Sequence, residues 1–289
     1  MNPKHKSFRT YRTEKILGVK VDFAPLPEII KRLEKLVKYN KHGQITTPNP
    51  EHIVISQHDY RFKKILNQST LSIPDGIGLV WAVRILQHQF FSKKFQQLNG
   101  IDLMLSLLRL AALKKWRVFL LGGKNSVAEN ATRKLKNENK KLQINYFSGA
   151  LDIQNETLTE RRQAIWRINK FKPQLLFVAY GAPMQEKWIA DNLAKLKVNV
   201  GMGVGGAFDF LSGKVLRAPK IVQRLNLEWL WRLCHQPWRW RRQLRLIKFV
   251  FLVVKELLVK LFRRLVFRTR MKFGTAQEIQ NPKFPCSEK

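Results

Sequence analysis

The side chains best suited to chemistry in this sequence are few, and they stand just past short apolar runs. Gln44-Ile45-Thr46-Thr47 reads as a β-type run that breaks at Pro48 and Pro50, leaving Thr47 and Asn49 in the break. After a helical stretch, Ile73-Pro74-Asp75-Gly76 presents a carboxylate in the same kind of position. Loops at strand ends are where α/β sheets carry chemistry, so Thr47 and Asp75 are the first candidates for a shared site. Each also has a plainer reading, because Thr before Pro ends strands and Asp-Gly makes turns. A carboxylate (Asp75), a hydroxyl (Thr47), two amides (Asn49, Gln185), glycine turns and many arginines suit transfer to an alcohol acceptor from a phosphate-bearing donor. The carboxylate would take the acceptor's proton, and cations or N–H dipoles would stabilise the departing phosphate.

Other chemistries find no residues. The 6 His are scattered without HxH or HExxH spacing and no Asp-x-Asp closes a strand, so neither a metal nor another cofactor is expected. There is no GxSxG, and no Walker lysine follows a GxxxxG. A nicotinamide dehydrogenase would need an early, fuller GxGxxG with an acidic residue further on, which the sequence lacks.

Those residues need a frame, and the hydrophobic pattern supplies one. Ile16 to Val21 alternates as a strand, and Pro25-Leu26-Pro27 then opens a helix with Ile29, Ile30, Leu33 and Leu36 on one face. Strand-like runs at Trp116–Leu121, Ile144–Phe147, Leu175–Ala179 and Val198–Val204 alternate with helices starting at Ser126 and spanning Glu160–Phe171 and Gln185–Leu196. This alternation predicts an α/β, Rossmann-like, mostly parallel sheet flanked by helices. The loops after Thr47, Ile73, Leu121, Tyr180 and Val204 would then crowd one edge, where such folds bind ligands. The run to Leu121 ends in Gly122-Gly123, and the one to Val204 in Gly205-Gly206. A strand emerging into two glycines before a helix presents backbone N–H groups to a phosphate or sugar, although a plain turn makes the same pattern.

With 289 residues and 45% hydrophobic content, the chain fits one large folded domain or a domain with an appendage. Lys and Arg number 54 against 20 Asp and Glu, and an excess of +34 must meet something anionic: nucleic acid, acidic lipid or a phosphorylated substrate. The basic excess is marked from Arg217 onward, together with Trp229, Trp231, Trp238 and Trp240 of the 8 Trp. From Trp238 to Phe267 a basic, apolar helix is expected. Arg245, Lys248, Lys255, Lys260 and Arg263 gather on one half, and Ile247, Val250, Val254, Leu257, Leu258 and Leu261 hold the other. That pattern fits a helix lying in a lipid interface, where it would serve only to reach lipid; a helix packed on the protein's own core is the alternative. Its longest charge-free run, Phe249 to Val254, is too short to span a bilayer. No RNP, KH or zinc-finger pattern appears, so a membrane surface is expected and nucleic acid is not. Cys234 and Cys286 form no CxxC, and a reducing compartment is the default. The basic N-terminal residues 1–13 form a polar leader without the apolar core of a secretory signal.

The blocks TPNPEH, IPDGIGLVWA, the Asn99-Gly100-Ile101-Asp102 step, FLLGG, FVAYGAPMQEKW and GVGGAFDFLSGKVLRAPK, then QRLNLEWLWRL and PWRWRR, run in order from about Ile16 to Arg245. Together they resemble the WecG/TagA/CpsF glycosyltransferases. The resemblance implies a catalytic domain over 1–213 and a basic appendage over 214–289. It also implies inverting, metal-independent transfer of a sugar from a UDP-sugar. The acceptor in that family is a sugar linked by diphosphate to a polyprenol, at the cytoplasmic face of the membrane. The best-known members move N-acetylmannosamine onto N-acetylglucosaminyl-diphospho-undecaprenol, in cell-surface polysaccharide or teichoic acid synthesis. Another UDP-hexose donor stays open, as does a homo-oligomer.

Carried over by position, Asp75 resembles the general base, with Thr47 and Asn49 lining the pocket beside it. Gln185 resembles a polar contact to substrate and Asp209 one to the nucleotide, while Gly122, Gly123, Gly205 and Gly206 would let UDP approach the backbone. Arg232, Arg239 and Arg242 match arginines of the appendage, which in the family folds over the pocket and meets diphosphate. A guanidinium fork suits that task better than an ammonium, because it binds phosphate oxygens in pairs. Met184 stands where the family commonly has a basic residue. The chain beyond Arg245 is longer and more lipophilic than usual, which implies firmer membrane attachment.

Overall fold

The computed structural model describes residues 11–90, 95, 97–124, 126–237 and 240–279, the side chains of 242 and 264–279 excepted. The chain begins with an antiparallel hairpin of β1 (Arg12–Ile16) and β2 (Val19–Phe23), Ile16 facing Val19. The single strand expected over Ile16–Val21 is thus two. Leu17 and Gly18 both take positive φ, 50° and 78°, which is what a two-residue hairpin turn requires. Arg12 and Thr13, assigned to the polar leader from the sequence, already belong to β1.

After α1 (Leu26–Lys38), the chain alternates strands and helices. Among the described residues six strands form the main sheet: β3 (Gly43–Thr46), β4 (Leu71–Ser72), β5 (Arg117–Gly122), β6 (Gln143–Phe147), β7 (Leu175–Ala179) and β8 (Val200–Gly203). Their order is β4-β3-β8-β7-β5-β6, and every neighbouring pair is parallel. The connecting helices are α2 (Pro50–Ser56), α3 (Tyr60–Gln68), α4 (Ile77–Leu86), α5 (Gly100–Lys114), α6 (Val127–Glu138), α7 (Leu158–Phe171) and α8 (Met184–Asn192), with α9 (Ala207–Leu211) after β8. This is the helix-flanked parallel sheet that the alternation predicts.

Successive residues of β5 point to opposite faces and are buried on both. Val118 and Leu120 pack with α1, α5 and α6, whereas Phe119 and Leu121 pack with α7 and α8. Because all six strands are parallel, the loops after β3, β4, β5, β7 and β8 share one edge. The chain leaves β3 for β4 on one side and β5 for β6 on the other. Such a reversal opens a crevice at the carboxyl ends of the strands.

Past Gly213 an irregular stretch over 214–219 leads into helices. Two short helices come first, α10 (Lys220–Arg224) and α11 (Glu228–His235), separated where Asn226 takes a positive φ of 60°. Then α12 (Trp240–Ile279) runs back across the body. Its Phe249 and Val253 are buried in a cluster with Ile16 and Val21 of the hairpin, Ile53 and Val54 of α2, and Leu79 and Val83 of α4. Glu256 accepts a hydrogen bond from the Leu17 N–H at 3.0 Å. On its other side Ile247 and Phe251 stay 68% and 67% exposed. The core-packed reading therefore holds for one stripe of its broad apolar face, and the other stripe is left exposed. Among the described residues no helix is long and apolar enough to cross a membrane.

Candidate active site

The loops after β3 and β4 are tied together at the sheet edge. Asp75 donates its N–H to the Pro48 carbonyl at 2.8 Å, so the two sequence breaks become one wall. Asn49 sits in an extended conformation before Pro50, and its Oδ1 accepts the His52 N–H at 3.0 Å, capping α2. Thr47 is buried beside it. From across the crevice comes the N-terminus of α5, where the Gly100 N–H donates to Asp75 Oδ1 at 3.1 Å. A Cβ at Gly100 would lie 3.3 Å from Thr47 Oγ1, which puts Thr47, Asp75 and the start of α5 in one cluster.

Asp75 is half-buried, and burial of its carboxyl pushes its pKa above the ordinary range. The Gly100 N–H and the charge of His52 pull the other way, and the carboxylates of Glu228 and Asp102 add to the rise. A carboxylate whose proton affinity is raised toward working pH makes a better base than an exposed one.

A second group lies one strand over. Gln185, buried at the start of α8, accepts N–H bonds from Gly181 (3.2 Å) and Gly205 (2.9 Å) through Oε1 and donates to Glu186 at 2.8 Å. Both ends of the predicted substrate-contacting amide are thus engaged within the protein, where they clamp the β7 and β8 exits together. Beside this clamp, Arg232 of α11 lies over the Phe210 ring, 4.8 Å from its centroid. A Cβ at Gly206 would collide with the Arg232 guanidinium and lie 3.3 Å from Asp209 Oδ2. The structure therefore brings Gly206, Asp209 and Arg232 to one point. Gly122 and Gly123 close β5, two strands beyond β8, with φ of 96° and 82°. A Cβ on Gly122 would lie 2.9 Å from the Ala179 carbonyl oxygen, so only glycine fits. From β4 to β5 the row of loops spans four strand spacings, roughly 19 Å. Arg239 lies outside the described residues; Arg242 falls in the first turn of α12, its side chain outside them.

Sequence reasoning missed the charged ring around Asp75. The guanidinium of Arg217 binds both oxygens of Asp102, at 2.7 and 2.9 Å, and its Nε donates to Glu228 at 3.0 Å. Glu228 also accepts from Asn99 at 3.5 Å, the residue that precedes α5. His52 is buried, and its Nδ1 has no hydrogen-bond partner among the described residues. Each of these residues stands inside a motif block, but no local period pairs an arginine with an aspartate 115 positions away. Among the described residues no three His, Cys, Asp or Glu side chains gather as metal ligands would. Hollows of about 450 Å³, lined by Lys31, Lys35, Lys38 and Lys114, and about 280 Å³, around Gly43 and Thr70, lie at the opposite strand edge. Neither adjoins the Asp75 cluster.

Residues 14–263 match the family model described as Glycosyl transferase WecG/TagA/CpsF family. The N-acetylglucosaminyldiphosphoundecaprenol N-acetyl-beta-D-mannosaminyltransferase of Bacillus subtilis (strain 168) is 35% identical over 246 residues, which is 85% of this chain and 92% of that protein. The protein of the same name from Staphylococcus aureus (strain NCTC 8325 / PS 47) is 31% identical over 219 residues, 75% of this chain and 82% of its own. The family match spans the whole parallel sheet and reaches into α12, and the breaks after β3, β4, β5, β7 and β8 in those blocks stand along a single sheet edge. The chain belongs to the WecG/TagA/CpsF family of glycosyltransferases.

Proposed function

We propose that this protein transfers N-acetylmannosamine from its UDP-sugar to a hydroxyl of a sugar carried on a polyprenyl diphosphate. The observation that carries this reading is the Asp75 cluster: a carboxylate of raised proton affinity, fixed by the Gly100 N–H beside the buried Thr47. The relatives' names supply the sugar and the lipid-linked acceptor. Asp75 takes the proton of the acceptor hydroxyl as its oxygen attacks the anomeric carbon from the face opposite UDP. The bond from that carbon to the phosphate oxygen breaks, its electron pair leaves on UDP, and the configuration inverts. Backbone N–H groups at Gly122, Gly123 and Gly206 receive the nucleotide, with Asp209 beside them, while the Gly205 N–H stays on Gln185. Arg232, Arg239 and Arg242 neutralise diphosphate, so no metal is needed for the leaving charge. Gln185 acts by holding the Gly205 loop in register with the Gly181 loop that follows β7.

The exposed apolar stripe of α12 and the tryptophans of α11 support a peripheral position at the cytoplasmic membrane face, where the acceptor lipid resides. The test uses purified protein, a panel of UDP-sugars and a short-chain lipid-diphosphate acceptor bearing N-acetylglucosamine, reading UDP release. UDP should appear only when donor and acceptor are both present, fastest with UDP-N-acetylmannosamine, and the product linkage should be inverted by NMR. Activity should survive excess EDTA. Loss in EDTA with recovery in Mg²⁺ or Mn²⁺ would overturn the metal-free step, and faster turnover of another UDP-hexose would reassign the donor.

A further inference from the structure

We infer that Arg217 is a positioning residue that keeps Asp75 in its basic, ionised form by neutralising the two carboxylates beside it. The inference rests on the reading of Asp75 as the base. Asp75 is faced by charged groups from three packed elements: His52 from α2, Asp102 from α5 and Glu228 from α11. Two of the three are anions, in a place where burial already disfavours a further negative charge. Without compensation, three carboxylates would share one crevice. Arg217, on the segment between α9 and α10, answers both neighbours at once, with two parallel bonds to Asp102 and a third to Glu228. A guanidinium fork can hold two carboxylates in this way while keeping its charge, which those bonds secure.

The same clasp fixes geometry. Asp102 lies in the first turn of α5, the helix whose leading N–H binds Asp75, and Glu228 reaches Asn99 just before it. Glu228 opens α11, so the grip of Arg217 also joins the appendage to the helix that orients the base. Charge and position make different forecasts, which lets them be separated.

The experiment measures the pH dependence of kcat/KM with the short-chain acceptor for wild type, Arg217→Ala, Arg217→Lys, Asp102→Asn and the Arg217→Ala/Asp102→Asn pair. Beside it, the ¹³C carboxyl resonance of Asp75 is titrated, assigned by its loss in Asp75→Asn. Arg217→Ala should move both the acid limb and the carboxyl midpoint upward by about one pH unit, roughly a tenfold loss below the limb. Arg217→Lys keeps the charge and should keep the limb near its wild-type position, whatever it loses in rate. The paired variant should bring the limb back toward wild type, and Asp102→Asn alone should lower the midpoint. A uniform loss across pH in Arg217→Ala with an unmoved midpoint would reduce Arg217 to a structural tie. Should Arg217→Ala fail to fold, an unchanged midpoint in Asp102→Asn overturns the inference by itself. If the wild type transfers no sugar, the functional reading falls, whereas the carboxyl midpoint still decides the linkage to Arg217.

Discussion

At Asp75, stability and the proposed chemistry pull in opposite directions. Burial raises its carboxyl pKa in the folded chain above the ordinary value of 3.8, so the native state holds that proton more tightly than the unfolded state does. The stability this contributes is complete below the ordinary carboxylate range and is lost as pH rises through the higher folded value. Above that folded value the ionised side chain is a burden on the fold, which the proposed role as base would explain. Asp75→Asn keeps an oxygen to accept the Gly100 N–H but cannot take a proton. Transfer should fall by about 10²–10⁴-fold. Melting of the same variant, followed by calorimetry, should come at a higher temperature than wild type at pH 7.5, with the gain vanishing toward pH 3. An equal difference at both pH values would show that ionisation of Asp75 does not strain the fold. Asn49 needs a different separation, because it caps α2 while lining the same wall. Asn49→Ala should cost about 1 kcal/mol of stability through the lost cap. Asn49→Asp can still cap, so a loss of transfer in a fully stable Asn49→Asp would mark a separate contact with substrate.

At the scale of elements, the strands and helices of the sheet were legible because burial on both faces writes near-continuous apolar runs, as in Val118–Leu121. The loops were legible for a related reason: Thr47, Asp75 and the glycine pairs stand where those runs stop. Three things were not. The turn at Leu17-Gly18 places a leucine at positive φ, which no propensity anticipates. The clasp of Arg217 on Asp102 and Glu228 joins three separate motif blocks, and only the fold makes them neighbours. The apolar arc of α12 is wide enough to serve two surfaces, and a helical wheel does not say which stripe meets the protein. Phe249 and Val253 turn out to plug the cluster between the hairpin, α2 and α4, so the helix is part of the fold. Phe249→Ala should cost about 3–5 kcal/mol in denaturant unfolding. Phe251→Ala, about half a turn of the wheel away from that stripe and 67% exposed, should change stability by no more than about 0.5 kcal/mol. A chain stopped after Arg245 should unfold or aggregate. A soluble, cooperatively folding truncation would show that α12 contributes nothing to the core.

The molecule as a whole carries a net charge of +34 and a helical C-terminal part that faces two ways. One end of it, through Glu228 and Arg232, borders the sheet edge that holds Asp75; the other presents Trp240, Ile247, Phe251, Leu258 and Phe262 to the outside. Attachment to an anionic membrane would draw on both charge and apolar burial, and the structure alters their balance. Of the five cations on the α12 stripe, Arg245 pairs with Glu51, Lys248 meets His58 at 3.0 Å, and Lys260 pairs with Glu256 at 2.9 Å. Those three are partly committed within the protein, so the full contribution of about 1 kcal/mol per surface cation does not apply to them. Apolar burial should then dominate, and high salt should weaken vesicle binding without abolishing it. The decisive variant is Ile247→Asp/Phe251→Asp, which alters only side chains already in water. It should sediment poorly with vesicles of acidic phospholipid, keep the wild-type melting temperature, and retain transfer to the short-chain acceptor while losing transfer to a long-chain acceptor embedded in those vesicles. Sedimentation equal to wild type would remove this face from the membrane contact. A lipid-free wild type that sediments as a dimer, with the double variant a monomer, would instead assign the same stripe to a second copy of the chain.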